Sequence, residues 1–267
     1  MGKNNEGASD KLAPFWGKKI SVAKNAQDIA QAKRENKPII GLDTGANSAE
    51  LWGADYVVMD ENAIDEALAE RVYKRHTGEP WTIAETKRCI IRELTMDDID
   101  ALFELYSKPG ITDFVEPLYD YDKECEYEKA YIEHMYGYYE YGMWLVFSKD
   151  TGELIGRAGL ENRDYYDSLE TADTQESGNE KIQRTYHSEM ELGYIIAPEY
   201  QRQGYATEVC QAILEYAWEN LCPDRINCLI DENNYPSRRL VEKLGFQLIG
   251  KTDVTGESLL RYVITNE

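Results

Sequence analysis

Short apolar runs separated by polar turns set the layout of the chain, and their period changes along it. Residues 20–23, 38–42 and 54–59 are brief apolar stretches of strand length. They alternate with two segments, 26–36 and 63–75, whose apolar residues recur at helical spacing. Strands alternating with helices predict a small parallel α/β unit. From residue 89 the pattern turns to longer strands, at 89–94, 143–148, 153–161, 189–196, 225–231 and 258–265, with one more entered through Gly245-Phe246-Gln247. Asp150-Thr151-Gly152 joins two of them as a hairpin. Thr95 and Asp98 have capping-box spacing for a helix over 95–107, much of 122–139 reads as a helix, and Gly245 is placed to cap a helix over 235–244.

The stretch that organises the second part is 189–208. A strand ends at Ala197-Pro198, a Gln-x-x-Gly-x-Ala turn runs from Gln201 to Ala206, and a helix follows. Its apolar face is Ala206, Val209, Cys210, Ile213, Leu214, Ala217 and Leu221. The first N–H groups of a helix lack intrahelical partners and point with the dipole, so the turn predicts a socket for a pyrophosphate. Gly204 admits the anion without a Cβ in its path.

Composition sharpens this picture in a few places. The formal charge is -21, from 29 basic and 50 acidic side chains, which argues against nucleic acid or anionic membrane and suits a cationic substrate. Residues 1–85 carry 11 basic and 14 acidic groups, so the acidity belongs to the second part. Residues 113–141 mix nine carboxylates with eight tyrosines, which reads either as a solvated acidic helix with a buried tyrosine side or as the wall of a pocket for a cationic amine. Five scattered cysteines and three distant histidines give no metal spacing, so no metal is expected and the thiols are expected to be reduced. No signal peptide or membrane-spanning run is visible, and a cytoplasmic protein is expected. Residues 1–18 read as a flexible leader, 163–184 as a polar mobile loop, and 77–81 as a junction, giving expected domains of 19–85 and 86–267.

Four features in order, Glu191-Leu-Gly-Tyr-Ile-Ile196, the glycine turn with its helix, Asn234-x-x-Ser237, and Glu242-Lys-Leu-Gly-Phe246, resemble the GNAT N-acetyltransferase superfamily. Within it the likeness is to the ribosomal-protein-alanine-acetyltransferase-like branch, over residues 87–267. The resemblance implies an α/β (α+β) fold with a mixed, mostly antiparallel sheet whose two strands splay apart to hold acetyl-CoA as co-substrate. It implies that Tyr194, Ile195 and Ile196 pair through their backbone with the pantetheine arm. The N–H groups of Arg202, Gln203, Gly204, Tyr205, Ala206 and Thr207 would hold the pyrophosphate, and Asn234 would reach the pantetheine or thioester end. The acceptor implied is a small-molecule or peptide primary amine; homodimerisation is left open.

Transfer to an amine needs a base, because the amine is protonated at neutral pH, and a donor to the developing oxyanion. Glu189 and Glu191 share one face of their strand. Glu191 is the first candidate for base or relay and Glu189 the second, against the plainer alternative of a salt bridge for either. The tyrosine that many members carry as general acid is Val241 here, which leaves Ser237 and Tyr235 as the nearest substitutes. Trp144 and Arg157 lie on the hairpin where the family builds acceptor pockets, with core packing and a surface ion pair as the plainer readings.

Residues 37–45 and 53–60 resemble the last third of haloacid-dehalogenase-like hydrolases, without the nucleophile strand and with Lys24-Asn25 in place of the metal-binding acids. Residues 19–80 therefore read as a catalytically silent remnant, with Asp43 and Asp60 in turn roles. The competing reading for the whole chain is a non-catalytic acyl-CoA-binding module.

Overall fold

The computed structural model describes residues 16–162, 188–254 and 256–266. The expected leader up to residue 15 and the expected loop at 163–184 lie outside them. The chain divides into two units, Met1–Trp81 and Thr82–Glu267.

The first unit consists of α1 (Trp16–Lys19), β1 (Ser21–Ala23), α2 (Ala26–Arg34), β2 (Ile39–Leu42), β3 (Tyr56–Val58) and α3 (Glu66–Thr77). Its strands are parallel in the order β1-β2-β3, and the central one is buried along its whole length. Asn25 caps α2 through the Gln27 and Asp28 amides, Asp65 caps α3 through the Leu68 amide at 2.8 Å, and Gly78 ends α3 in the left-handed region. Residues 16–18 of the expected leader thus belong to α1, and Trp16 packs edge-on against Tyr73 of α3. Asp43 accepts from the Gly45 amide and the Ser48 hydroxyl, and Asp60 from the Asn62 amide, so both carboxylates serve local turns.

The second unit consists of β4 (Thr82–Glu85), β5 (Cys89–Arg92), α4 (Ile99–Ser107), α5 (Tyr121–Tyr131), β6 (Met143–Ser148), β7 (Leu154–Asn162), β8 (Glu189–Ile196), α6 (Tyr205–Tyr216), β9 (Arg225–Ile230), α7 (Tyr235–Lys243), β10 (Gln247–Val254) and β11 (Glu257–Thr265). One sheet in the order β10-β11-β9-β8-β7-β6-β5-β4 carries them, antiparallel throughout except for the parallel pair β8–β9. Strand β4 pairs with β5, which places the division between units a few residues ahead of the expected boundary at 85. The inner face of the sheet and the apolar stripe of α6 (Val209, Cys210, Ile213, Leu214) form one core with α4, in which Trp144 is fully buried and meets Tyr216 edge-on.

The helix expected over 122–139 is α5 followed by π-helical turns at Ile132–Tyr139. The wider i→i+5 spacing brings Tyr131 and Tyr136 to the same strand end. The Tyr131 hydroxyl accepts from the Met143 amide at 2.7 Å, and the Tyr136 hydroxyl donates to the Met143 carbonyl at 2.6 Å. A tyrosine-rich helix is thereby fastened to the start of β6.

Candidate active site

Strands β8 and β9 pair only at Glu189–Arg225, Met190–Ile226 and Glu191–Asn227. Beyond Glu191 each keeps its other neighbour: β8 follows β7 to Ile196, and β9 follows β11 to Ile230. The sheet therefore opens between them. The Cys228 thiol donates to the Leu192 carbonyl at 3.2 Å, where the next ladder bond would be. The Ala197 amide donates to the Ile155 carbonyl, and antiparallel pairs alternate, so Ile195 and Gly193 bond towards β7. Tyr194 and Ile196 then turn their backbone groups into the opening. Of the three residues expected to offer backbone there, Ile195 is directed to Arg157 across the ladder instead.

At one end of the opening lies the glycine turn. Gln201 to Gly204 are exposed, with Arg202 at φ 56° and Gly204 at φ 85°. Two glutamine side chains fold back on the loop: Gln201 donates to the Ile196 carbonyl at 2.9 Å and Gln203 to the Glu199 carbonyl at 2.6 Å. The first amide bonded within α6 is that of Glu208, to the Gly204 carbonyl. The amides of Gly204, Tyr205, Ala206 and Thr207 precede it, so they are the ones a helix leaves to an anion.

Along the opening lies a cavity of about 440 Å³. Strand β8 contributes Glu191 through Ile195, β9 contributes Cys228 to Ile230, and α7 contributes Ser237, with Asn234 just before it. Residues 114–119, Tyr127 and Tyr131 form the aromatic side. Among the described lining residues six are carboxylates (Glu116, Glu124, Glu161, Glu191, Asp231, Glu257) against one guanidinium, Arg157. That guanidinium is itself paired with the fully buried Glu128 at 2.7 Å. Burial pushes the Glu128 carboxyl up, opposed by Arg157, and burial likewise pushes the Tyr106 phenol up. The Arg157 pair is thus a buried one and not a surface ion pair, and among the described lining residues carboxylates outnumber cations.

The structure separates the two candidate bases. Glu191 stands at the fork of the sheet and lines the cavity. Glu189 is one step deeper in the paired region. It accepts from Asn227 Nδ2 at 2.9 Å and Arg261 at 2.8 Å, has Arg225 at 3.6 Å, and does not line the cavity. Its carboxylate is thus held in a salt-bridge network. Asn234 accepts from the Ser237 amide at 3.2 Å as the cap of α7, with its side chain at the cavity wall. Ser237 lines the cavity, and its carbonyl accepts from the Tyr194 hydroxyl at 3.3 Å, while Val241 is wholly buried in the core. Burial drives the Tyr194 phenol well above its ordinary range. Two residues escape a reading of the sequence: Glu161, whose strand neighbour is Glu191, and Arg88, which meets Glu208 across 120 positions of chain.

A sheet that splays at a parallel strand pair, with a glycine turn and helix N-terminus beside the gap, defines an acetyltransferase of the GNAT type. The chain belongs to that family: the sequence profile of the acetyltransferase (GNAT) domain matches residues 88–247. It is 30% identical over 175 residues to the uncharacterized N-acetyltransferase YoaA of Bacillus subtilis (strain 168), covering 64% of this chain and 85% of that one. The GNAT-family acetyltransferase of Bacillus anthracis shares the fold at a TM-score of 0.51 and 20% identity, over 68% of this chain and 96% of that chain. The ribosomal-protein-S5-alanine acetyltransferase of Vibrio fischeri does so at 0.55 and 13%, over 69% and 96%. The protein is an N-acetyltransferase. None of these findings supports the dehalogenase-like resemblance of residues 19–80. Among the described residues no His, Cys, Asp and Glu group could hold a metal, and no helix is long and apolar enough to cross a membrane.

Proposed function

We propose that this N-acetyltransferase uses acetyl-CoA as donor and delivers the acetyl group to a cationic primary amine by direct attack. The observation that carries the reading is the opening of β8 from β9 after Glu191, with the glycine turn following the strand and the carboxylate-lined cavity along it. The amides of residues 202–207 hold the pyrophosphate, the backbone of Tyr194 and Ile196 pairs with the pantetheine arm, and Asn234 orients the arm's far end. Bound acetyl-CoA supplies the activated thioester. Glu191, directly or through a water, takes the proton from the ammonium, which frees the nitrogen lone pair. A β8 amide facing the gap, Tyr194 or Ile196, donates to the acyl oxygen as negative charge develops there. The C–N bond forms, the C–S bond breaks, and the thiolate departs without help from position 241, where an aliphatic side chain is buried. The V. fischeri neighbour is named for a ribosomal-protein alanine; in this chain the excess of carboxylates over cations among the described cavity residues favours an acceptor with positive charge, either a small amine or a basic peptide N-terminus.

The test is thiol release from acetyl-CoA with a panel of amines and N-terminal peptides, alongside calorimetric binding of acetyl-CoA. Turnover with cationic amines supports the reading, and binding without turnover on any amine would mean a non-catalytic acyl-CoA module.

A further inference from the structure

We propose that Arg88 is a positioning residue of the phosphate socket, which neutralises the helix carboxylate Glu208 and turns its remaining guanidinium nitrogen towards the bound pyrophosphate. The inference rests on the donor reading above. Arg88 stands just before β5, far in sequence from the glycine turn, yet it is built into it. Its amide donates to Glu208 Oε1 at 2.8 Å and its Nε to Glu208 Oε2 at 2.7 Å. Its Nη1 donates to the Gln203 carbonyl at 3.0 Å, and the guanidinium carbon lies 3.9 Å from the centre of the Tyr205 ring. The third nitrogen, Nη2, comes within 3.5 Å of the point where a Cβ on Gly204 would stand. Two of the three nitrogens therefore fix the group, and the third faces the glycine over which the anion must pass.

The charge arrangement explains why such a group is needed. A carboxylate in the first turn of a helix suits the helix dipole when nothing is bound, but it repels an anion arriving at the same N-terminus. Glu208 occupies that turn. Burial works to raise its pKa, but hydrogen bonds from Thr86 and Arg88 hold it below the usual carboxylate range, so it is charged at neutral pH. Arg88 occupies both carboxylate oxygens and cancels that charge. The planar fork, stacked on Tyr205, does this while keeping Nη2 aimed at the socket. Lysine, whose donors all sit on one nitrogen, lacks the fork that bonds Glu208, bonds Gln203 and faces Gly204 together.

Donor use by the full-length chain separates this role from a merely structural one. Two donors are compared, acetyl-CoA and S-acetylpantetheine, which has the same thioester but no phosphates. Arg88→Met should lower kcat/KM with acetyl-CoA by about tenfold more than with S-acetylpantetheine, and Arg88→Lys should fall in between. Adding Glu208→Gln to Arg88→Met should recover most of the acetyl-CoA loss, because the unpaired carboxylate is gone. Melting curves of each variant confirm that a folded protein is being compared. Equal losses with both donors, or a double variant as poor as the single one, would overturn the proposal and leave Arg88 as a structural staple. A wild-type chain that binds acetyl-CoA and is indifferent to Arg88→Met overturns this inference alone. A wild-type chain that uses neither donor overturns the donor reading, and this inference with it.

Discussion

Glu161 of β7 stands directly opposite Glu191 of β8, and both side chains line the cavity. Like charges facing one another across a ladder destabilise a sheet, and a cation between them reverses the sign. A protonated amine is such a cation, and once held there it is also next to the proposed base. The two carboxylates should then separate kinetically. Glu191→Gln should lower kcat by about a hundredfold, the range for loss of a general base, and Glu161→Gln should mainly raise the amine KM. Steady-state thiol release over a range of amine concentrations measures both. A Glu191→Gln enzyme with normal kcat removes Glu191 from the base role.

The socket gives a second prediction. Gly204 sits at φ 85°, and a Cβ there would meet only Arg88 Nη2 at an ordinary 3.5 Å. Gly204→Ala therefore suffers the left-handed backbone strain, about 1–2 kcal/mol, without a clash. Gly204→Glu adds a carboxylate at the place proposed for the pyrophosphate. Calorimetry should show acetyl-CoA binding at roughly -8 kcal/mol, a micromolar Kd, in the native chain. Binding should be weakened in Gly204→Ala and absent in Gly204→Glu. Retention of full affinity by Gly204→Glu would place the donor elsewhere.

Much of this arrangement is legible along the chain, and the remainder is hidden for physical reasons. Strand β8 and the turn into α6 are local: an apolar run, a proline break, a glycine and a helical stripe report on neighbours only a few residues away. The fates of Glu189 and Glu191 are not local. They share a strand face, yet the parallel pairing with β9 ends between them and the gap, giving one to Arg261 and the other to the cavity. Arg157 looked like an exposed hairpin charge because its partner, Glu128, lies on a helix that reads as solvated. Along the sequence that helix reads simply as a helix, since side-chain spacing alone does not show the π-helical turns that bring Tyr136 to Met143. Arg88 owes its place to a tertiary contact with Glu208 that no local pattern signals.

Glu189 yields a prediction of stability instead of catalysis. Its carboxylate lies among Asn227, Arg225 and Arg261, and the Arg261 guanidinium also donates to Asn227 at 2.8 Å. Taking the carboxylate charge out of this largely buried network removes the ion pair with Arg261 and the Asn227 contact that it anchors, at a cost of about 3 kcal/mol. Glu189→Gln should lower the urea midpoint accordingly, while kcat measured well below the melting temperature stays within about threefold of the native value. A stable Glu189→Gln protein with a collapsed kcat would return this residue to the list of candidate bases.

The Arg92–Asp98 pair predicts an acid limit to stability. Asp98 accepts from Arg92 Nη1 and Nη2 at 2.8 and 2.7 Å and from the Thr95 amide at 2.8 Å, closing the turn into α4. Burial alone would raise its pKa, but the Arg92 fork and the Thr95 amide outweigh it and hold the carboxyl below its ordinary value. A depressed carboxylate stabilises the fold fully above its unfolded pKa, near 3.9 for aspartate, and loses that contribution as pH falls through the folded value. The stability difference between the native chain and Asp98→Asn should therefore be largest at neutral pH, begin to shrink at about pH 4, and narrow further with acid. Urea midpoints for both proteins between about pH 6 and pH 3 give that difference directly. A gap that stays constant over this range would mean that Asp98 contributes through its hydrogen bonds and packing, and not through its charge.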